Sequence, residues 1–344
     1  MSIFLKWYEE NGSEDAVVLS STVSLARNLS GYPFSHLTNQ TEKEEIIQKI
    51  TAAAARLDRL GLSMRAVDLE TLEDLQRMVL AEHRLASREF LRRSDGRVLL
   101  VSGDESVCLA IGGEDHLLIS VTAAGLECEK AMRLAQQIDD LLEEQLTFAF
   151  QDRLGYLTAS PDHLGTGMQA SVMLHLFGMD RLSLTAKLAN TVSKMGMQLH
   201  GVRAFGAIHD YQITNRMTLG LTEEQAAMNL ETIVRQIIDR EMAAQSECLQ
   251  GAERFDDRLY RTLGELQFAR RLPLEELQAA LSLLRVGICQ KRINLPPRLL
   301  NTLAITAGEA SILFGKGEFL SAGGREEARA ELVRARLSEI ELLK

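Results

Sequence analysis

The stretch GYLTASPDHLGTGMQASVMLHL, residues 155–176, decides how the rest of the chain is read. Residues Leu154–Ala159 are rich in β-formers and read as a strand. The breakers Ser160, Pro161, Asp162 and His163 end it. Gly165-Thr166-Gly167 then leads into an apolar run. Met168, Val172, Met173 and Leu176 fall at i, i+4, i+5 and i+8, the spacing of one helix face. A strand, a glycine turn and a helix N-terminus together make an anion cradle, because free backbone N–H groups and the helix dipole converge on the turn.

Working outward, Gly165-x-Gly167-x-x-Ala170 fits the loose dinucleotide pattern. No strand–helix alternation surrounds it, and no acidic residue ends a strand about 20 residues on. A Ser160–His163 nucleophile pair lacks both the G-x-S-x-G elbow and an assigned acid. The stretch also resembles the C-P-T-N-x-G-T-x-x-R-A-S-V segment of ATP:guanido phosphotransferases, and among them bacterial protein-arginine kinases. Pro161, Gly165, Thr166, Ala170, Ser171 and Val172 fit. Ser160 stands for the Cys, Asp162-His163 for T-N, and Gln169 for the Arg.

Composition narrows the class. The chain has 344 residues, 46% hydrophobic and 25% charged, as expected of a globular protein with one large or two smaller domains. A net charge of −10 leaves no basic excess to neutralise phosphates, so nucleic acid is not the expected partner. Cys108, Cys128, Cys248 and Cys289 are scattered, without metal-site spacing, so no metal site is expected. Scattered cysteines suit a reducing compartment, and no apolar run reaches membrane length. The expectation is a cytoplasmic protein with no membrane partner.

Taken in order, Ala16–Ser20 reads as a buried strand. The run Ser20-Ser21-Thr22-Val23-Ser24-Leu25-Ala26-Arg27-Asn28-Leu29 resembles the family's S-S-R-x-R-L-A-R-N-L, with Thr22 and Ser24 in place of two arginines. Thr41–Leu60 is a helix closed by Gly61, and Leu69–Leu85 a second. In the family a nucleotide-contacting His lies near His83-Arg84. Val98–Ser102, Val107–Ile111 and His116–Val121 read as strands without crossover-length connections, which implies antiparallel pairing.

Gly112-Gly113-Glu114-Asp115-His116-Leu117-Leu118 reads on residues alone as a hairpin turn. It also resembles the family's N-E-E-D-H-L-R, in which a paired carboxylate orients the substrate guanidinium and serves as base. The resemblance makes Glu114 and Asp115 the catalytic candidates and puts Leu118 at a further arginine position.

Glu127–Phe150 is a long amphipathic helix, and Ser183–Met195 a helix stopped by Gly196. Met197–Ala204 and Ile208–Thr214 are strands. His200 stands at the fifth arginine position, and the loop that follows is shorter than the family's; Arg203 is a candidate substitute. After a helix at Thr222–Gln245 the pattern turns wholly helical: Arg254–Ala269, Leu274–Val286, Pro297–Thr306 and Arg325–Leu342. A boundary is placed near Ser246, with a catalytic-type domain at 1–246 and a helical domain at 247–344. The fold expected is α+β, an antiparallel sheet flanked by helices.

The family's ATP·Mg site maps onto Ser20, Ser21, Thr22, Val23, Ser24, Leu118, Gln169, Ala170, Ser171, Val172, Met173 and His200. Its five arginines are Thr22, Ser24, Leu118, Gln169 and His200 here. A hydrogen bond to a charged group is worth about 1.5–3 kcal/mol, so five lost partners remove on the order of 7–15 kcal/mol. Micromolar affinity is about 8 kcal/mol in all. The sequence therefore reads as a kinase fold without a working phosphate clamp, and ATP·Mg binding is doubted. The competing reading is an active kinase remodelled around Arg27, Arg84 or Arg203.

Gly323-Gly324-Arg325-Glu326-Glu327-Ala328-Arg329-Ala330 resembles the R-D-x-x-R-A motif, which forms a phosphoarginine pocket in that family. Arg325 and Arg329 share a helix face, and Glu326 stands for the Asp. The expected partner is a phosphoarginine-bearing or other protein, with a homodimer left open; the third alternative is a helical scaffold that binds neither ligand.

Overall fold

The computed structural model describes residues 5–202, 208–250, 253–317 and 320–338. Its centre is a sheet of eight antiparallel strands. In chain order the strands of that sheet are β1 (Val18–Arg27), β2 (Met64–Asp68), β3 (Val98–Ser102), β4 (Val107–Ile111), β5 (Leu117–Ala124), β8 (Met168–His175), β9 (Met197–Gly201) and β10 (Asp210–Asn215). Their spatial order is β2-β3-β4-β5-β1-β8-β10-β9, and β6 (Phe150–Gln151) pairs with β7 (Gly155–Tyr156) in a separate ribbon.

The helices are α1 (Gln40–Ala54), α2 (Asp74–Glu82), α3 (Arg88–Arg92), α4 (Cys128–Glu143), α5 (Phe177–Arg181), α6 (Thr185–Ser193) and α7 (Glu223–Cys248), then α8 (Glu253–Phe268), α9 (Leu274–Cys289), α10 (Pro297–Thr306), α11 (Glu309–Lys316) and α12 (Ala322–Ser338). The expected α+β architecture with an antiparallel sheet is what the chain adopts.

Strand β1 shows why the sheet has two unlike faces. Val23 and Leu25 are fully buried, whereas Thr22 and Ser24 are only half-buried, the period of two that a pleated strand imposes. Val23, Leu25, Ile119, Val121, Ala170, Val172 and Ile213 belong to one core with Ala135, Ile138, Leu230 and Val234 of α4 and α7. Burying a side chain of that size contributes roughly 1.5–3 kcal/mol. On the opposite face a smaller core, Leu80, Phe90, Leu99, Val101, Cys108 and Ala110, lets α2 and α3 cover only the β3–β4 end. The β1–β8–β10–β9 part of that face is left polar. Helices α8, α9, α10 and α12 enclose a further core, including Leu259, Leu284, Leu300 and Val333.

The quoted stretch is where the fold departs most from its sequence reading. Residues 168–175 are a strand, not a helix. Met168, Ala170, Val172 and Leu174 are all fully buried while Gln169 is exposed. Positions 168, 172 and 176 satisfy a spacing of four and of two alike, and the intervening Ala170 and Leu174 decide for two. With no helix there, no helix N-terminus faces Gly165–Gly167, and the anion cradle does not form. The expected strand at Leu154–Ala159 shrinks to Gly155–Tyr156, and Pro161–His163 is a single 3-10 turn.

Other boundaries moved for local reasons. The helix expected over Glu127–Phe150 ends at Glu143, because Thr147 and Phe148 pair as extended backbone with Leu29 and Ser30. Residues 69–85 split into a 3-10 turn and α2. Edge strand β2 and helix α11 were not anticipated. Ser246 sits in the last turn of α7. The four cysteines are free.

Candidate functional site

Antiparallel register sets the candidate positions side by side. Thr22 lies opposite Thr122 of β5 and Ser171 of β8, and Ser171 lies opposite Thr214 of β10. One step along, Ser24 lies opposite Ser120 and Gln169. One step the other way, Ser20 faces Met173, Met173 faces Gln212, and Gln212 faces His200. Leu118, exposed, continues the β5 row. The sheet thus brings Ser20, Thr22, Ser24, Leu118, Gln169, Ser171, Met173 and His200 onto one face.

The same register excludes four other candidates. Ser21, Val23, Ala170 and Val172 alternate with the face residues and point into the layer of α4 and α7. Ser21 is fully buried there, donating to the Gly125 carbonyl at 2.8 Å and accepting the Glu127 N–H at 3.0 Å. Its work is to fix the entry into α4.

The chemistry of the face is hydroxyl and amide. Thr22 Oγ1 and Thr122 Oγ1 are 3.0 Å apart, and Ser24 Oγ and Ser120 Oγ 2.9 Å apart, so the two arginine-position side chains on β1 bond across to β5. Among the described residues of β1, β5, β8, β9 and β10, no Lys or Arg stands at a position on this face. The ionisable side chains there are His200, exposed, and His175 and Asp210 at the end of the rows.

Glu114 and Asp115 occupy the β4–β5 turn with opposite surroundings. Glu114 is exposed. Asp115 is buried, and its Oδ1 accepts Asn28 Nδ2 at 2.6 Å and the Ala159 N–H at 2.7 Å. Asn28 Oδ1 in turn accepts the His116 N–H at 2.9 Å. His116 Nδ1 accepts the Leu29 N–H at 3.0 Å, which leaves Nε2 carrying the proton toward the Pro33 carbonyl at 2.8 Å. Burial holds the His116 pKa below its usual value. Asp115 is thus a fastening between the end of β1, the start of β5 and the 157–160 segment, and Glu114 is left as the solvent-facing carboxylate.

The three arginines considered as substitutes have other positions. Arg27 is buried, forked onto Asp139 with Nε at 3.0 Å from both oxygens and Nη2 at 2.5 Å from Oδ2. Its Nη1 donates to the Ala26 and Thr166 carbonyls, and its plane lies 3.5 Å from the Tyr156 ring centre. Arg84 lines a cavity beyond the end of the rows. Arg203 lies outside the described residues. His83, beside Arg84, pairs with Glu105 at 2.9 Å. Ser160 and His163 share a backbone bond at 3.1 Å, with no side-chain hydrogen bond between them among the described residues.

At the C-terminal end, Arg325 and Arg329 come together on α12, but around an internal anion. Glu309, first residue of α11, sets Oε2 2.5 Å from Arg325 Nε and Oε1 2.6 Å from Arg329 Nη2. Arg329 is fully buried and also donates to the Ala307 carbonyl at 2.8 Å and the Leu272 carbonyl at 3.0 Å. Glu326 contributes its carbonyl to the Leu272 N–H at 3.1 Å. The space between the two guanidinium groups is taken by Glu309. Sequence spacing gave no sign of it, because 16 positions separate Glu309 from Arg325 and the contact is tertiary.

The family of this fold can now be read. Residues 45–244 match the ATP:guanido phosphotransferase C-terminal catalytic domain, and residues 252–343 match the Protein-arginine kinase McsB C-terminal domain. The chain belongs to the protein-arginine kinase family.

Curated members of that family match it end to end. The protein-arginine kinase of Pelotomaculum thermopropionicum is 35% identical over 97% of this chain and 96% of its own, and that of Symbiobacterium thermophilum 36% over the same shares. The Clostridium novyi protein-arginine kinase is 34% identical over 98% of this chain and 99% of its own. Among solved structures, lombricine kinase aligns at TM-score 0.57 and 22% identity, covering 70% of this chain and 71% of its own. A duplicated taurocyamine kinase from Schistosoma mansoni, solved with bound transition-state analogue components, aligns at TM-score 0.59 and 23% identity over 68% of this chain and 35% of its own. These likenesses concern the guanidino-kinase fold. No described helix is long and apolar enough to cross a membrane, and no described cluster of His, Cys, Asp or Glu has the makings of a metal site.

Proposed function

We propose that this member of the protein-arginine kinase family is a pseudokinase that binds rather than phosphorylates, with a phosphoarginine-bearing protein as its partner. One observation carries the reading: the strand positions where the family places its phosphate arginines share one sheet face, and among the described residues of those strands none on that face is Lys or Arg, the β1 positions carrying hydroxyls that bond across to β5. Phosphoryl transfer rests on positioning and charge neutralisation, which hydroxyl pairs bonded to each other do not supply. A nucleotide triphosphate does not fit such a donor set, so no step is routed through ATP or magnesium here. The remodelled-kinase alternative loses Arg27, whose donors are all committed internally.

The test is calorimetry of ATP·Mg at millimolar concentration, with an active family member as the positive control. No saturable heat is expected. A Kd tighter than about 1 mM, or transfer of labelled phosphate to a protein arginine above a Glu114→Ala control, overturns the reading.

A further inference from the structure

In the helical region the ends of α8 and α11 and one side of α12 frame an open groove of about 540 Å³. The α12 wall is Gly324, Glu327, Ala328, Glu331 and Arg334, spaced i, i+3, i+4, i+7 and i+10 along one stripe of the helix. Arg325 and Arg329 stand on a different stripe and do not line the groove. Arg270 and Arg271, just past α8, and Lys316, the last residue of α11, supply the remaining charges.

Four cations therefore meet two carboxylates. Arg271 pairs with Glu327 at 2.8 Å and Lys316 with Glu331 at 2.8 Å, and all four of these side chains are exposed. An exposed pair of this kind contributes about 0–1 kcal/mol, so an incoming carboxylate can take its place at little cost. Arg334 donates through Nη1 to the Ala269 carbonyl, which anchors its head at the groove. Arg270 is exposed and has no hydrogen bond or ion pair to a described residue. Two cations in excess, gathered in one concavity of a chain with a net charge of −10, make a local field opposite in sign to that of the whole molecule.

From this arrangement we infer that the groove docks an acidic segment of a partner protein, with carboxylates on Arg270, Arg271 and Arg334 and an apolar side chain against Leu320 and Ala328. A volume of 540 Å³ falls within the usual range of ligand sites, about 300–1,000 Å³, and takes a short piece of chain rather than a single ion. The guanidinium forks match carboxylates, each fork offering two parallel donors. Nucleic acid is the poorer occupant. Glu327 and Glu331 would stand against its continuous row of phosphates, and no aromatic side chain among the described lining residues offers a base a surface to stack on. Carboxylates spaced along a peptide can instead meet the cations and miss the two acids. Because Arg325 and Arg329 lie outside the groove, docking here is independent of phosphoarginine binding.

The experiment is fluorescence anisotropy of the full-length protein with a fluorescein-labelled peptide of alternating glutamate and leucine, at low and at physiological salt. Wild type binds saturably, and more weakly as salt rises. Arg270→Glu, at an exposed position, raises the Kd about five-fold or more. Arg153→Glu, between β6 and β7, makes the same change of net charge and leaves the Kd as it is. The peptide with lysine in place of glutamate does not bind. Absence of saturable binding by wild type, an unchanged Kd in Arg270→Glu, an equal loss in Arg153→Glu, or equal binding of the lysine peptide overturns the docking site. A competition arm uses single-stranded DNA. Failure of DNA to displace the peptide supports an acidic protein segment as the occupant, and displacement that is itself lost in Arg270→Glu assigns the groove to nucleic acid and overturns the inference.

Discussion

At the scale of single residues, the side chains that match the family motifs and those that depart from them differ in direction. Arg27, Asn28, Asp115 and His116 match, and each has inward partners: Asp139 for Arg27, Asp115 and Leu157 for Asn28, Leu29 and Pro33 for His116. Thr22, Ser24, Leu118, Gln169 and His200 depart, and all stand on the polar face. Removing one partner from a buried charged pair costs about 3–5 kcal/mol, whereas an outward-facing cation can be lost with little effect on folding. His116 gives this a pH signature. Its folded pKa lies below the ordinary 6.5, so the stability its neutral ring contributes is fully present above that pH and is lost as the pH falls through it. Protonation at Nδ1 also breaks the bond from the Leu29 N–H. Urea unfolding at pH 7.5, 6.0 and 5.0 is expected to show wild type losing more stability toward acid than His116→Gln. Parallel declines in the two proteins count against His116 as the cause.

At the scale of elements, strand β8 depends on the turn before it. Gly165 has φ at +107°, and a Cβ there would stand 2.3 Å from the Thr218 carbonyl oxygen. Gly155 has φ at +72°, with a Cβ placed 2.2 Å from the Gly165 carbonyl oxygen. The two glycines let residues 155–156 cross against residue 165, from which the Tyr156 N–H takes its acceptor at 2.8 Å. Gly165→Ala therefore adds both a backbone clash and an unfavourable φ. A loss of about 2–3 kcal/mol is expected in chemical denaturation, with the helical core of α8, α9, α10 and α12 little disturbed. A change under about 0.5 kcal/mol would show that the turn relaxes freely. The glycines were visible in the sequence, but their purpose was misread there, as the entry to a helix rather than to a strand.

At the scale of the whole molecule, α11 joins two distant parts of the chain. Glu82 at the end of α2 caps its first turn, and Glu309 in that turn bridges Arg325 and Arg329. A phosphoarginine ligand at those arginines has to displace the Glu309 carboxylate, exchanging a singly charged acceptor for a phosphate with more charge and more oxygens. Glu309→Gln removes the competitor's charge and is expected to tighten binding of a phosphoarginine peptide about ten-fold, while Arg325→Ala weakens it. Arg329 is unsuited to the test because its donors also hold the Ala307 and Leu272 carbonyls. Titration of the three proteins with the same peptide checks this. Equal affinity in all three, or none in any, removes phosphoarginine from the proposal and leaves a scaffold.

The sequence by itself determined the family, the antiparallel α+β class and most of the elements. Strands β3 and β4 and helix α10 have the boundaries that alternation, glycine turns and Pro297 dictate. It also determined which arginines are missing, since residue identity needs no coordinates. Periodicity could not choose between helix and strand at residues 168–175, because spacings of four suit both and only pairing with β1 and β10 supplies the missing hydrogen-bond partners. Nor could it separate the residues of a motif by face: a contiguous run such as Ser20–Ser24 looks like one site until the pleat sends Ser21 and Val23 to the core. The partners of buried charges were hidden for the same reason. Arg27 meets Asp139 and Arg329 meets Glu309, both across distances in sequence that only the packed chain closes.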